Sequence, residues 1–171
     1  GSHGLTNKRF PYDESIRVPF LVHAPGRIAP GVGIAAPFGA IDMAPTLAGL
    51  AGIEPATEWV GTDFSPRLRG EPGSAPTGQP IMHVLNRRTE RLPPEQRPAP
   101  RFRGIRTARW TYAVRANGPW LLFDNERDPH QLDNLAHDPA HAGRRRALAD
   151  AIAAWLTEAE DPFVLPASAW Q

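Results

Sequence analysis

The sequence predicts an α/β fragment, in which the last strand and helix of a larger α/β domain precede an antiparallel sheet with a packed terminal helix. Three observations indicate this architecture. Residues 17–24 are apolar at nearly every position, as in a strand covered on both faces of a parallel sheet. Two later segments that flank an Asn-Gly pair predict a β-hairpin. An apolar stripe at helical spacing follows them.

The first part of the chain predicts one strand and one helix. The strand covers residues 17–24, and a helix over 43–51 follows, with Asp42 as its N-cap and Gly52 as its end. Its predicted buried face carries Met43, Leu47, Leu50 and Ala51. A strand followed by a helix is typical of α/β folds. Because one buried parallel strand needs neighbours, we expect residues 1–60 to be the end of a larger α/β domain.

The second part predicts a separate subdomain. Residues 61–79 are rich in turn-forming residues and predict a linker. Residues 80–171 predict an antiparallel sheet, with strands at 81–85, 108–114 and 120–124 and a tight turn at Asn117-Gly118. The Pro- and Arg-rich residues 86–101 predict a long exposed loop.

A terminal helix completes this subdomain. Asp138 is its predicted cap, and Pro139 suits the first turn. The apolar stripe consists of Leu148, Ile152, Trp155, Leu156 and Ala159. We expect it to cover the alternating residues Trp110, Tyr112 and Val114 of the preceding strand, because each apolar face needs a partner.

Composition excludes several classes of site. The 171 residues contain no Cys, which excludes disulfides, thiolate metal ligands and a Cys nucleophile within this sequence. The formal net charge of +1 indicates neither an acidic nor a basic partner overall. No run of 18 apolar residues occurs, so we expect no membrane partner. Residues 87–115 are rich in Arg, which predicts either a surface for nucleic acid or an anionic substrate, or a solvated loop with charged strand edges.

We assign no metal ligand to this chain. His137 and His141 are four residues apart, but Pro139 lies between them and interrupts a continuous helix. The segment DNERDPHQLDNL is similar to a calcium-binding loop, but Pro129 stands where the tight turn needs Gly, and Leu135 stands where a bidentate Glu belongs. Neither pattern therefore predicts a metal site.

Four segments, in order, resemble the C-terminal third of type I sulfatases of the alkaline phosphatase superfamily. They are GSHGLTNKRFPYDESIRVPFLVHAPG, IDMAPTLAGLAGI, RGIRTARWTYAV and WLLFDNERDPHQLDNLAHDP. The first resembles a Gly-x-His-Gly motif followed by a Lys and by Ser-x-Arg-Val-Pro. The resemblance covers nearly the whole chain, and it implies the C-terminal part of an arylsulfatase-like enzyme.

The resemblance also implies a reaction, the hydrolysis of sulfate esters by a formylglycine nucleophile with a calcium or magnesium ion. Lys8 falls on the sulfate-binding lysine of the family, and His3 falls on the His of Gly-x-His-Gly. We expect Arg87 and Arg88, in the Arg-rich loop, to help bind the anionic substrate. The nucleophile and metal motifs are absent here, so the resemblance places them in an N-terminal part of the same enzyme, and the isolated chain should be inactive.

Two alternative functions remain beside this one, and the origin of the first three residues has an alternative of its own. The same superfamily includes phosphonate and phosphodiester hydrolases, which share this region. A noncatalytic Arg-rich interaction module is the alternative from another class, and it requires Trp110 and Tyr112 to be exposed. We favour a protein that binds no nucleic acid.

For Gly1-Ser2-His3, the remnant of a cleaved affinity tag is the alternative to native sequence.

Overall fold

The chain divides into two compact units. The computed structural model describes residues 2–5, 8–28, 30–54, 58–83 and 101–171. Unit 1 consists of Gly1–Val18 with Pro80–Gln171, and unit 2 consists of Pro19–Gln79. This division differs from the predicted boundaries at residues 60 and 79. The first residues belong with the C-terminal sheet because they bond to it, for example through the Asp13 N–H, which donates to Oε1 of Gln131 at 2.7 Å.

A four-stranded sheet forms the centre of unit 1. Its strands, in spatial order, are β1 (Gly78–His83), β2 (Phe102–Thr107), β3 (Trp110–Arg115) and β4 (Gly118–Asp124). The pairs β2–β3 and β3–β4 are antiparallel. The predicted antiparallel sheet is therefore confirmed, although the sequence pattern alone did not predict β2 as a strand.

The β3–β4 hairpin has the tight turn that Asn117-Gly118 predicts. Arg115 pairs with Gly118, so Ala116 and Asn117 form the turn between the strands. Gly118 has φ 136°, in a region that side chains disfavour, which explains why glycine occupies this position.

The terminal helix α4 (Ala142–Glu158) packs on one face of the sheet. Asp138 caps the 3-10 turn that leads into it by accepting the Ala140 N–H at 2.9 Å. The shared core contains Trp110, Tyr112 and Val114 from β3 and Leu148, Ile152 and Leu156 from α4, which confirms the predicted pairing. Trp155 is only half-buried. No helix among the described residues is long and apolar enough to cross a membrane.

The second face of the sheet carries a separate aromatic core. Phe102, Ala113, Leu121 and Phe123 are buried there. Tyr12, Ile81 and Trp120 pack against them. Because Tyr12 comes from the N-terminal segment, that segment covers the sheet face opposite α4.

Unit 2 contains the helices α2 (Met43–Ala51) and α3 (Ser65–Leu68). The predicted helix and its left-handed end at Gly52 (φ 74°) are confirmed. The predicted buried face is correct at Leu50 and wrong at Met43, Leu47 and Ala51, which are exposed. The buried residues are Pro45, Thr46, Ala48 and Leu50.

Asp42 does not cap α2 with its side chain. Its carboxylate is buried and accepts three hydrogen bonds, from Gly39 N at 2.8 Å, Thr62 N at 2.7 Å and Gln79 Nε2 at 2.6 Å. Asp42 thus ties residues 39, 62 and 79 together, and these bonds replace the side-chain cap of α2 that its position predicts.

Residues 17–24 differ from their predicted state, because no strand forms there. Val18 is 64% exposed and Leu21 is 92% exposed. A doubly covered parallel strand requires a neighbour on each side, and the one sheet among the described residues consists of β1–β4. The apolar sequence is therefore present without the sheet that would bury it.

A buried ion pair joins β2 to the segment after α4. Arg103 makes two hydrogen bonds to Asp161, at 2.7 and 3.0 Å, and both side chains are about nine-tenths buried. The hydrogen bond from Arg103 holds the pKa of Asp161 below its ordinary value, against the opposing effect of burial.

The Arg103–Asp161 ion pair should make the free energy of unfolding decrease at low pH. A carboxyl whose pKa is depressed on folding contributes stability above its unfolded pKa of about 4 and loses it as pH falls through the folded value. We therefore expect the urea midpoint to fall below about pH 4, and Asp161→Asn to flatten that decline. Equal acid sensitivity of both proteins in urea titrations at pH 2.5–7 would contradict this role for Asp161.

Candidate functional site

The two residues predicted to be catalytic, His3 and Lys8, meet at the short helix α1 (Asp13–Ile16). Nε2 of His3 lies 3.5 Å from Oε2 of Glu14. Nζ of Lys8 donates to the backbone carbonyl of the same Glu14 at 3.1 Å. The fold thus brings an imidazole and an ammonium group to one carboxylate-bearing turn.

His3 is held in a defined orientation. Its ring stacks on Tyr12, with 3.9 Å between ring centroids and 16° between the ring planes. The side chain is 12% exposed, and its Nε2 has no hydrogen-bond partner. Because a buried polar atom without a partner is costly, Nε2 is well suited to bond a ligand that reaches this position.

Lys8 is more accessible than His3 and is the only lysine in the sequence. Its present acceptor, the Glu14 carbonyl, is neutral. Hydrogen bonds to an ionised oxygen are stronger than those to a neutral one. A sulfate or phosphate oxygen therefore competes well for this ammonium group.

Unusual backbone conformations occur in the same segment. His3 has φ 58° and Arg9 has φ 118°, in the region that residues other than glycine rarely adopt. Such conformations persist only where surrounding contacts fix them, and they cluster at functional sites. One such contact is the Arg9 N–H, which donates to Oγ of Ser15 at 3.2 Å. The segment that carries both candidate residues therefore has a specified shape.

A polar network anchors α1 to the sheet. Asp13 accepts two hydrogen bonds from Arg106, at 3.0 and 2.9 Å. The backbone N–H of Asp13 donates to Gln131, which is 2% exposed. Nε2 of Gln131 in turn donates to Asn125 at 2.8 Å and to Thr111 at 3.2 Å.

Sequence analysis did not find this network. Arg106 and Gln131 lie 93 and 118 residues after Asp13 in the chain, and no local periodicity connects them to it. Gln131 is the central member of the network, since it bonds Asp13, Asn125 and Thr111.

Aromatic side chains form the wall beside this turn. Tyr12 lies 5.8 Å from Phe123, and Phe10 lies 6.0 Å from Trp120, measured between ring centroids. Burial raises the pKa of Tyr12, and the positive charge of Arg115 opposes that rise. Tyr12 therefore remains a neutral phenol at physiological pH.

The predicted substrate-binding residues Arg87 and Arg88 lie outside the described residues. Three arginines farther along the same Arg-rich stretch make ion pairs within the fold: Arg103 with Asp161, Arg106 with Asp13 and Arg109 with Asp124.

An Arg-rich nucleic-acid module requires exposed aromatic residues between its arginines. Trp110 is 8% exposed and Tyr112 is fully buried beneath α4. These two aromatic residues therefore offer no stacking platform for bases. Within the described ranges, no group of three or more His, Asp or Glu residues could hold a metal ion.

Comparison with known proteins gives a consistent result. Residues 1–158 match the family model described as N-sulphoglucosamine sulphohydrolase, C-terminal. The chain is 33% identical over 159 residues to the ulvan-active sulfatase of Formosa agariphila, covering 91% of this chain and 30% of that protein. It is 35% identical over 144 residues to an endo-4-O-sulfatase of Bacteroides thetaiotaomicron, covering 77% of this chain and 28% of that protein.

A solved structure, from work on the metabolism of multiple glycosaminoglycans by Bacteroides thetaiotaomicron, has the same fold. It superposes with a TM-score of 0.70 at 31% identity, over 92% of this chain and 34% of that one. The chain thus spans about a third or less of the length of the proteins it matches.

Proposed function

The chain belongs to the sulfatase family, in the C-terminal region that the N-sulphoglucosamine sulphohydrolase model describes, and on that premise we propose that it forms part of an enzyme that hydrolyses sulfate esters. Within that enzyme it supplies a sulfate-binding lysine, Lys8, and the C-terminal subdomain. The ulvan-active sulfatase and the endo-4-O-sulfatase that this chain resembles are named sulfatases, which supports this reaction.

The observation that carries the proposal is the convergence of His3 and Lys8 on Glu14. As the S–O bond breaks, negative charge builds up on the sulfate and the leaving oxygen. A fixed ammonium group stabilises such charge electrostatically, without reorganising at the moment of reaction. Nε2 of His3, which makes no hydrogen bond, adds a second polar contact for substrate beside the same turn.

The nucleophile and the metal belong, in this proposal, to residues outside this chain. The 171 residues contain no Cys, and the described residues hold no metal-binding cluster. Formylglycine and a calcium or magnesium ion, which the family resemblance implies, are therefore not assigned to any residue here. The chain's own contribution is to bind and orient the sulfate through Lys8 and His3.

We also propose that residues 1–60 complete the α/β domain of this enzyme. Supporting this, residues 17–24 have the composition of a central strand but lack a sheet partner among the described residues. Exposed apolar side chains on this segment and nearby in unit 2, such as Phe20, Leu21 and Val32, would be buried by such a sheet.

Initial rates on two model substrates test the reaction. The enzyme that contains this chain should release 4-nitrophenol from 4-nitrophenyl sulfate faster than from 4-nitrophenyl phenylphosphonate. The isolated 171-residue chain should release none from either. Faster cleavage of the phosphonate would favour a phosphonate hydrolase of the same superfamily, and activity of the isolated chain would contradict the assignment of the nucleophile to other residues.

A further inference from the structure

Arg115, the last residue of β3, is a half-buried cation that has no counter-ion among the described residues. Its Nε is buried and has no hydrogen-bond partner. Within the described part of the chain, its guanidinium makes no ion pair. Nearby arginines on the same sheet differ, because Arg103, Arg106 and Arg109 each bond a carboxylate.

The indole of Trp120 holds this guanidinium in place. The guanidinium carbon, Cζ, of Arg115 lies 3.5 Å from the centroid of the Trp120 ring, which is close contact for a cation over an aromatic face. Stacking fixes the plane of the group and leaves its N–H edges free to donate. A planar fork of this kind matches the oxygens of a carboxylate or a sulfate.

Partial burial of the Arg115 guanidinium favours the binding of an anion beside it. Burial lowers the pKa of Arg115 from its ordinary value, although the group stays protonated at physiological pH. A half-buried cation that has lost part of its hydration without gaining an anionic partner is unfavourable. An anionic ligand at this position would therefore be stabilised by more than it would be beside a solvated arginine.

Arg115 belongs to the same unit as the proposed sulfate site. Trp120, which lies under its guanidinium, is 6.0 Å from Phe10 between ring centroids, and Phe10 follows Lys8 by two residues in the chain. Tyr12 carries the stacked His3 ring, and Glu14 is where His3 and Lys8 meet. Tyr12 and Trp120 pack against the same aromatic core of the sheet, so His3 and Arg115 each stack on a residue of that core.

We infer that Arg115 binds a second anionic group of the substrate, a carboxylate or a second sulfate, beside the sulfate that reacts. The inference rests on the proposed function and narrows it to sulfate esters that carry two anionic groups. Arg115 is then a specificity residue, and it takes no part in breaking the S–O bond. An ester with one anionic group would not use it.

Inhibition constants separate this role from catalysis. We expect Arg115→Gln to raise the inhibition constant of D-glucosamine-2-N,6-O-disulfate at least tenfold in the enzyme that contains this chain. The inhibition constant of D-glucosamine 6-O-sulfate and the kcat for 4-nitrophenyl sulfate should stay within twofold. Arg146→Gln, which removes an exposed cation from α4 on the other sheet face, should change none of these values.

A direct binding measurement on the 171-residue chain does not depend on activity. The Nε–H resonance of Arg115 should shift saturably with inorganic sulfate, at a concentration at least tenfold below that needed for the 82% exposed Arg127. Arg115→Gln should also leave the melting temperature unchanged or higher, because it removes an unpaired buried charge. Arg115→Lys, which keeps the charge but loses the stacked fork, should bind sulfate more weakly than the parent chain.

Several results would overturn the inference. One is a lower melting temperature of Arg115→Gln with unchanged inhibition constants, which would mean that Arg115 pairs with a carboxylate elsewhere in the protein. Another is an Arg115 resonance that responds to sulfate no more than Arg127 does. Failure of the unmodified enzyme to hydrolyse 4-nitrophenyl sulfate would instead count against the proposed function, and the sulfate titration would still decide the role of Arg115.

Discussion

Lys8→Ala should lower the kcat for a sulfate ester at least tenfold in the enzyme that contains this chain. A tenfold loss corresponds to about 1.4 kcal/mol of transition-state stabilisation. The physical reason is that the ammonium group offsets charge that develops on the sulfate oxygens, and alanine leaves that charge without a protein donor. Steady-state kinetics with 4-nitrophenyl sulfate would measure the change.

Two control variants sharpen this test. Lys8→Arg keeps the positive charge and should retain more activity than Lys8→Ala. Arg146→Ala removes a cation from the exposed side of α4 and should leave kcat within twofold. Unchanged kinetics in Lys8→Ala would remove Lys8 from the site, while equal losses in Lys8→Ala and Arg146→Ala would indicate a general effect of charge.

Ile152→Ala should destabilise unit 1 by about 2–5 kcal/mol, the range for truncating a buried isoleucine. Ile152 is 1% exposed and lies in the core between α4 and β3, where Tyr112 and Leu122 are fully buried. Alanine would lose apolar contact and leave a cavity that rigid neighbours fill only in part. Urea unfolding followed by tryptophan fluorescence would measure the loss.

The matched control for this variant is Leu132→Ala. Leu132 is 77% exposed, and its truncation should change the free energy of unfolding by about 0.5 kcal/mol or less. A loss below 1 kcal/mol in Ile152→Ala would mean that α4 does not bury this face. Trp155 lies on the same stripe but is half-buried, so we expect less than the roughly 3–5 kcal/mol that full burial of a tryptophan predicts.

Local patterns predicted the elements whose partners lie close in the sequence. The β3–β4 hairpin follows from alternating apolar residues around Asn117-Gly118, and α4 follows from its apolar stripe. The predicted cap Asp138 instead caps the 3-10 turn at Pro139–His141, and α4 begins after it, at Ala142. In these elements the amphipathic period specifies which face is buried, since the sheet and the helix cover each other.

The incorrect predictions concern which side chains are buried where the contacting residues are distant in the sequence. In α2, Thr46 is buried because it bonds Phe64 and Thr62, while the more apolar Leu47 is exposed. Residues 17–24 have a strand-like composition, but a strand also requires neighbours. The hydrophobicity of a segment indicates that it favours burial, but it does not indicate which residues will bury it.

The candidate site was predicted in part. His3 and Lys8 were found through the resemblance to sulfatases, since spacing alone does not distinguish them from ordinary surface residues. The Asp13–Arg106–Gln131 network and the stacking of Arg115 on Trp120 depend on side chains that the fold brings together. Only the folded structure reveals such long-range relations.

The most direct test of the central claim is a crystal structure of the enzyme that contains this chain, with inorganic sulfate bound. Nζ of Lys8 should leave the Glu14 carbonyl and lie about 3 Å from a sulfate oxygen, with His3 Nε2 facing the same ion. A sulfate bound at the catalytic centre while Lys8 still bonds Glu14 would contradict the account.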